Sequence, residues 1–267
     1  QRLLFPSLRV VIHFSGRFIQ LPKRIKTKII FHWKGRNSMN KQLLQNIDFY
    51  RQKLQTYYRL SPDVHKNLNR QLKPHLLSTC CALEEIPATQ EDRILGLSKA
   101  YDYMVQTVQT ELGEDTLLSL HSLLYADTDK GQAGQYRFDD LHVFRTAYTP
   151  PASEEIPHLI QHFFQQMDYS RKQFHPIEFA SLSHKRILDI CPFSHGNFCV
   201  AYLFLNLLLL RDGYGIALLP AFRCGEYFEA IKASQKPVFP EIDSLTELIT
   251  VSVLEGEKLS CSLLPLS

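Results

Sequence analysis

This sequence of 267 residues lacks both long apolar runs and cysteines at Cys-x-x-Cys spacing. The longest apolar run, Val200–Leu210, has 11 residues and contains Asn206, whereas a membrane-spanning helix needs about 20 apolar residues. The six cysteines include no Cys-x-x-Cys pair, so neither a disulfide scaffold nor a zinc knuckle is indicated. We therefore expect no membrane segment, and we expect reduced thiols in a cytoplasmic protein.

Acidic residues are also missing from positions 1–38, which hold nine Lys or Arg residues. The remaining 229 residues carry 21 basic and 27 acidic side chains, so the excess of basic charge is confined to this arm. Two interpretations stay open: an arm that binds nucleic acid or another acidic partner, and a leader or translated upstream stretch before a natural start at Met39. We expect nucleic-acid binding nowhere else in the chain.

Helical periodicity dominates the rest of the sequence. Apolar residues recur at helical spacing between positions 40 and 109, with Pro62 and Pro87 as breaks. Further helices are predicted up to Tyr125, from Ser153 to Met167, from Pro176 to Ile190 and from Asn197 to Arg211. The chain is divided into an N-terminal helical region at 39–112, a core at 113–235 and a C-terminal tail at 236–267.

A few segments alternate instead, as strands do. Residues 135–148 predict a β-hairpin flap that ends at Pro150-Pro151, and the tail around Gly256 suggests a terminal β-hairpin. The basic arm also contains strand-like alternation. The predicted fold class is therefore mainly α, a helical bundle with a β-hairpin flap and small β elements at both ends.

The segment with the clearest chemical signal is the polar loop at 191–197, which leads into the hydrophobic stretch that follows. Such a loop directs unpaired backbone N–H groups of the helix N-terminus toward one point, where an anion can bind. Gly196 and Asn197 before a helix are also ordinary capping residues. Phosphate binding and simple capping both remain open from this pattern alone.

The loop and several other segments together resemble the Fic (Fido) family, whose core motif is His-x-Phe-x-Asp/Glu-Gly-Asn-Gly-Arg-x-x-Arg. Phe193, Gly196 and Asn197 stand in register with that motif. The resemblance covers about residues 40–235. Residues 80–85 resemble the family's inhibitory helix, with Glu84 as its acid. The other matching positions are Tyr136, Arg137 and Val143 of the flap, Pro150-Pro151, His175-Pro176, His184 and the run 203–211.

The resemblance implies a protein that transfers AMP from ATP, held with Mg²⁺ or Mn²⁺, to a protein hydroxyl. The motif His would be the base, the acid would hold the metal, the Gly-Asn-Gly backbone would hold phosphate, and the two Arg would bind the triphosphate. Here five of these positions carry other residues: Cys191 for the base, His195 for the metal ligand, Phe198 for the second Gly, and Cys199 and Tyr202 for the two Arg. Glu84 then lacks its usual Arg partner.

These substitutions predict a degenerate Fic protein, a non-catalytic or regulatory module that a protein partner contacts at the flap. The alternative is an active nucleotidyl or phosphate-group transferase in which Cys191 is the nucleophile and His195 or His184 its base. A metal site on Cys191, His195 and Cys199 is a further alternative, although Pro192 and Gly196 leave only His195 and Cys199 on one helix face.

Overall fold

The computed structural model describes residues 39–60, 62–141 and 148–264. These residues form mainly α-helix, as the periodicity predicts, and they include no strand. The helices are α1 (Lys41–Leu60), α2 (Pro62–Leu83), α3 (Glu91–Gln106), α4 (Glu114–Tyr125), α5 (Ile156–Arg171), α6 (Pro176–Ile190), α7 (Asn197–Arg211), α8 (Cys224–Ser234) and α9 (Asp243–Ser262).

Helix α7 lies at the centre of the bundle because its sequence is apolar on every side. Its residues from Cys199 to Leu209 are all buried. It packs most extensively against α6, and α2, α3 and α4 cover its other sides. In the described part of the chain, no helix combines the length and the apolarity needed to cross a bilayer.

The ends of α6 and α7 fix the loop between them. His175 caps α6, since its Nδ1 accepts a hydrogen bond from the amide of Ile177 at 3.3 Å, and Pro176 takes the first helical position. Cys191 ends α6 in the left-handed conformation with φ 49°, and Gly196 precedes α7 with φ 76°. The predicted bounds of both helices, including the start of α7 at Asn197, are confirmed.

The predicted β-hairpin in the tail is wrong, because α9 occupies Asp243–Ser262. Gly256 does not mark a turn there. It lies so close to the extended segment 214–219 that an added Cβ would stand 1.7 Å from the carbonyl oxygen of Ile216. The Leu218 amide also donates to the Ser252 carbonyl at 2.9 Å. Close approach of two backbones, rather than chain reversal, explains the glycine.

The other predicted β elements are the strands of the basic arm and the hairpin of the flap. The basic arm 1–38 and the centre of the flap, 142–147 with Val143, lie outside the described residues. The flanking flap residues 135–141 and 148–151 form irregular backbone rather than strand.

Candidate functional site

The loop between α6 and α7 is held from outside by Arg137, at the base of the flap. The Arg137 side chain is 2% exposed. Its Nε donates to the carbonyl of Cys191 at 2.8 Å, and its terminal nitrogens donate to the carbonyls of Asp139 at 2.8 Å and Pro151 at 2.6 Å. One buried guanidinium thus joins both ends of the flap to the loop.

The loop is closed from inside by Asn197. Its Nδ2 donates to the Phe193 carbonyl at 2.7 Å, and its Oδ1 accepts from the Phe193 amide at 3.0 Å. The Phe193 ring is fully buried and stacks on His121, with centroids 3.9 Å apart. Phe193 is thus a buried anchor of the loop, and Gly196 directly precedes the first residue of α7, Asn197.

His121 links the flap to the same loop, and sequence reasoning missed it. Its Nδ1 accepts from the Gly134 amide at 3.0 Å, and its Nε2 lies 3.2 Å from the His195 carbonyl. Because Nδ1 is an acceptor, the geometry assigns the neutral tautomer in which Nε2 carries the proton and donates. Burial lowers the pKa of His121 to about 4, which keeps this tautomer at neutral pH.

A carboxylate from another helix occupies the N-terminus of α7. Glu84, just after the end of α2, accepts hydrogen bonds at Oε1 from the amides of Phe198 at 2.9 Å and Cys199 at 3.2 Å. These N–H groups have no partner within their own helix. Burial raises the pKa of Glu84, while the Phe198 and Cys199 amides act in the opposite direction. Two backbone amides at the start of α7 therefore converge on one point, and a carboxyl oxygen of the chain itself occupies it.

Glycine is required at position 196. An added Cβ would stand 2.7 Å from the Tyr125 ring, and φ is positive. Tyr125 is itself fixed by Arg93, whose terminal nitrogen donates to the phenol oxygen at 3.2 Å. The loop thus packs against α3 and α4 as closely as a residue without a side chain permits.

A cavity of about 550 Å³ adjoins the loop. Its polar wall includes Glu84, Arg93 and His195, and its apolar wall includes Leu188 and Ile231. This volume lies within the range of about 300–1,000 Å³ typical of small-molecule sites. Arg93 supplies a cation that no local pattern in the sequence indicates, because α3 is distant from the loop along the chain.

The residues at the two motif Arg positions belong to the core. Cys199 and Tyr202 are each 1% exposed. The Cys199 thiol donates to the Cys80 carbonyl at 3.5 Å, and the Tyr202 hydroxyl donates to the Ala217 carbonyl at 3.1 Å. Their side chains make neutral contacts with α2 and the segment 214–219. Cys199 reaches the anion site through its amide alone.

Cys191 lies on the cavity wall but is mostly buried, and burial raises the pKa of its thiol to about 12. A thiol in this state is protonated at neutral pH and is a poor nucleophile. His184 is committed elsewhere, since its Nε2 lies 2.7 Å from the Tyr227 hydroxyl, and burial lowers its pKa to about 4. His195 is exposed.

The remaining candidates show packing roles. Phe198 is half-buried, and its ring meets Tyr227 and Phe228 edge to face. The Tyr136 hydroxyl donates to Glu114 Oε1 at 2.9 Å. Within the described ranges, no group of three or more His, Cys, Asp or Glu residues is arranged to hold a metal ion.

Comparison with known proteins gives a consistent result. Residues 111–209 match the family model described as the Fic/DOC family. The Protein adenylyltransferase Fic of Drosophila willistoni is 26% identical over 165 residues, which are 60% of this chain and 32% of that protein. The protein of the same name from Drosophila grimshawi is 26% identical over 166 residues, 60% of this chain and 34% of its own. The chain thus spans about a third of these relatives' length.

Solved structures share the fold. A Fic domain containing signaling protein from Bacteroides thetaiotaomicron has a TM-score of 0.66 at 17% identity, covering 80% of this chain and 95% of its own. Fic-1 from C. elegans has a TM-score of 0.67 at 18% identity, covering 83% of this chain and 72% of its own. IbpAFic2, solved covalently tethered to Cdc42, has a TM-score of 0.51 at 16% identity, covering 71% and 62%. Residues 111–209 thus match the Fic/DOC family model, and the chain shares its fold with these solved Fic structures.

Proposed function

We propose that this chain is a degenerate Fic protein that does not carry out ordinary AMP transfer and acts as a binding or regulatory module. The observation that carries the proposal is the burial of Cys199 and Tyr202 at the two motif Arg positions. Side chains that contact the core cannot contact a triphosphate. Each missing charge-assisted contact removes about 1.5–3 kcal/mol of binding.

The other substitutions support the same proposal. A missing general base lowers rates by about 10²–10⁴-fold, and Cys191 carries a protonated thiol at that position. The exposed His195 replaces an acid, and imidazole is a poor ligand for Mg²⁺. Glu84 also occupies the amides that would meet phosphate.

The architecture around the site is nevertheless intact, which favours a retained binding role over simple decay. Arg137 and Asn197 hold the loop by buried hydrogen bonds, and His121 holds it by a part-buried one to the His195 carbonyl. The relatives are protein adenylyltransferases, and IbpAFic2 was solved tethered to Cdc42. We accordingly propose a protein partner that contacts the flap at 135–148 by strand addition, with the module located in the cytoplasm.

A second candidate function is transfer by altered chemistry at Cys191. One observation favours it, namely that Cys191 lies on the wall of the cavity together with His195. A bound ligand would have to lower the pKa of the thiol before it could act as a nucleophile. ATP with Mg²⁺ or Mn²⁺ would then be the cofactor system.

Calorimetric titration with ATP and ADP, each with and without Mg²⁺ or Mn²⁺, tests the proposal. We expect no nucleotide binding by the parent chain at millimolar concentration. The matched control is the Glu84→Ala variant, which frees the amides of Phe198 and Cys199 but restores neither Arg. Tight, metal-dependent binding of ATP by the parent would contradict the proposal and favour the transferase.

A further inference from the structure

Among the residues that the structure describes, none forms an ion pair with the buried guanidinium of Arg186. It lies near the end of α6 and is 6% exposed. Its Nε is fully buried and has no hydrogen-bond acceptor. Tyr148 and Asp189 are the charged or polar groups that act electrostatically on it.

Asp189 is the nearest carboxylate, but its oxygens are already used. Oδ2 forms an ion pair with Lys185, and Oδ1 accepts from Gln235 Nε2 at 3.2 Å. Its backbone carbonyl accepts from the Tyr148 hydroxyl at 2.9 Å. Lys185 therefore neutralises Asp189, and the cluster of Lys185, Arg186 and Asp189 keeps one net positive charge.

This arrangement is unusual for a purely structural arginine. Buried arginines are normally paired and hydrogen-bonded, because an unpaired charge in the interior is destabilising. A guanidinium also stays protonated at neutral pH, so it cannot escape the penalty by losing its proton. Five N–H donors in a planar fork match the two oxygens of a carboxylate or a phosphate.

Arg186 is separate from the cavity at the loop. Leu188 and Cys191 line that cavity, and on an α-helix a residue two positions before Leu188 projects about 200° away from it. Arg186 instead lies beside Tyr148, at the C-terminal root of the flap. Anion binding here would not require the Glu84 carboxylate to leave the N-terminus of α7.

We propose that Arg186 forms a second anion site, which binds one carboxylate or phosphate group at the root of the flap. The group accepts hydrogen bonds from the guanidinium and supplies the negative charge that the cluster lacks. A singly charged oxyanion balances the site, because its net charge is one positive. The site does not depend on the proposed function, since no nucleotide and no motif residue takes part in it.

Thermal unfolding at constant ionic strength, with chloride replaced stepwise by phosphate or by acetate, tests the site. In the parent we expect a saturable rise in Tm with at least one of the two anions. Arg186→Met retains the aliphatic stem and should abolish the rise, and Arg186→Lys should weaken it. The matched control is Arg70→Met, the same change at an exposed arginine, which should keep the full rise.

The same variants in chloride alone separate a ligand site from a structural role. Removing an unpaired buried charge should leave Tm unchanged or raise it, so a lower Tm in Arg186→Met would overturn the proposal. An equal response to the anions in Arg186→Met and the parent would overturn it as well. A response to phosphate but not to acetate would identify the bound group as a phosphate. A response to acetate but not to phosphate would identify it as a carboxylate.

A measurement on the parent alone tests the site even if the Arg186 variants fail to fold. The Nε–Hε resonances of arginine in a ¹⁵N correlation spectrum report each guanidinium separately. The buried Arg186 signal should move saturably with phosphate or acetate, while those of exposed arginines move little. No movement of this signal up to 100 mM of either anion would contradict the site.

Discussion

The carboxyl group of Glu84 accepts a hydrogen bond from the amide of Phe198 at 2.9 Å, so the residue just after α2 closes the N-terminus of the central helix α7. The contact joins the segment that follows α2 to the first turn of α7. Glu84 thereby caps the N-terminus of α7, and Arg93 acts on it electrostatically. The N-terminus of α7 is thus closed by a carboxyl group of the chain itself.

Loss of this cap should reduce stability without creating activity. Glu84→Ala leaves two amides of α7 without an acceptor, and we expect a loss of about 1–2 kcal/mol in the free energy of unfolding. Denaturant unfolding measures it, with the exposed Glu111→Ala as control. A change below a few tenths of a kcal/mol would show that water replaces the carboxylate at no cost.

His121 should make stability fall in acid. Its pKa is about 4 in the folded protein and 6.5 for the free side chain, so the unfolded chain takes up the proton first. Stability is complete above pH 6.5 and is lost as the pH falls toward 4, by up to about 3 kcal/mol. In His121→Gln this component is absent.

The comparison of parent and His121→Gln isolates this effect from other titrating groups. We expect the variant to be less stable at pH 7.5 and the gap to narrow steadily down to pH 4.5. A gap that is independent of pH would show that the pKa of His121 is the same in the folded and unfolded states.

Glu257 should act in the opposite direction. Burial raises the pKa of this carboxyl to about 7 from 4.5, although it accepts from the Gly215 amide at 2.7 Å. Stability is greatest below pH 4.5 and is lost as the pH rises through 7. Glu257→Gln, which cannot ionise, should therefore gain stability relative to the parent between pH 5 and pH 8, by up to about 3 kcal/mol.

Unfolding curves across this pH range provide the measurement. The control is Glu255→Gln at a half-exposed position two residues away, where the difference from the parent should stay within about 0.5 kcal/mol. An equal pH dependence in Glu257→Gln and the parent would place the ionisation elsewhere.

Restoring a motif arginine alone should damage the fold. Tyr202→Arg introduces a charge where the present side chain is 1% exposed, and we expect a loss of about 3 kcal/mol or more. Combining it with Cys191→His, His195→Asp, Phe198→Gly and Cys199→Arg should give ATP binding only if the cavity walls have stayed compatible. If the fivefold variant folds but does not bind ATP, that result would support a specialised interaction module.

Local patterns predicted the central helices and the loop because their determinants are adjacent in sequence. Pro176, Pro192 and Gly196 mark the ends of α6 and α7, and Phe193 and Asn197 close the loop between them. These residues act on neighbours within a few positions. Their roles can therefore be inferred before any tertiary contact is known.

Contacts between distant segments explain what the sequence did not reveal. Gly256 indicated a turn, yet the backbone at Ile216 dictates a glycine within a helix. His121 and Arg93 lie in ordinary helical stretches, and their roles depend on partners far along the chain. No spacing rule marks such residues.

The most direct test of the account is a transfer assay on the unmodified chain. The chain is incubated with labelled ATP and Mg²⁺ or Mn²⁺ in a cell extract, alongside its Glu84→Ala and Cys191→Ala variants, and AMP-modified proteins are identified by mass spectrometry. We predict no modification above background for any of the three. Metal-dependent transfer by the parent that disappears in Cys191→Ala would contradict the account and make the thiol a catalytic residue.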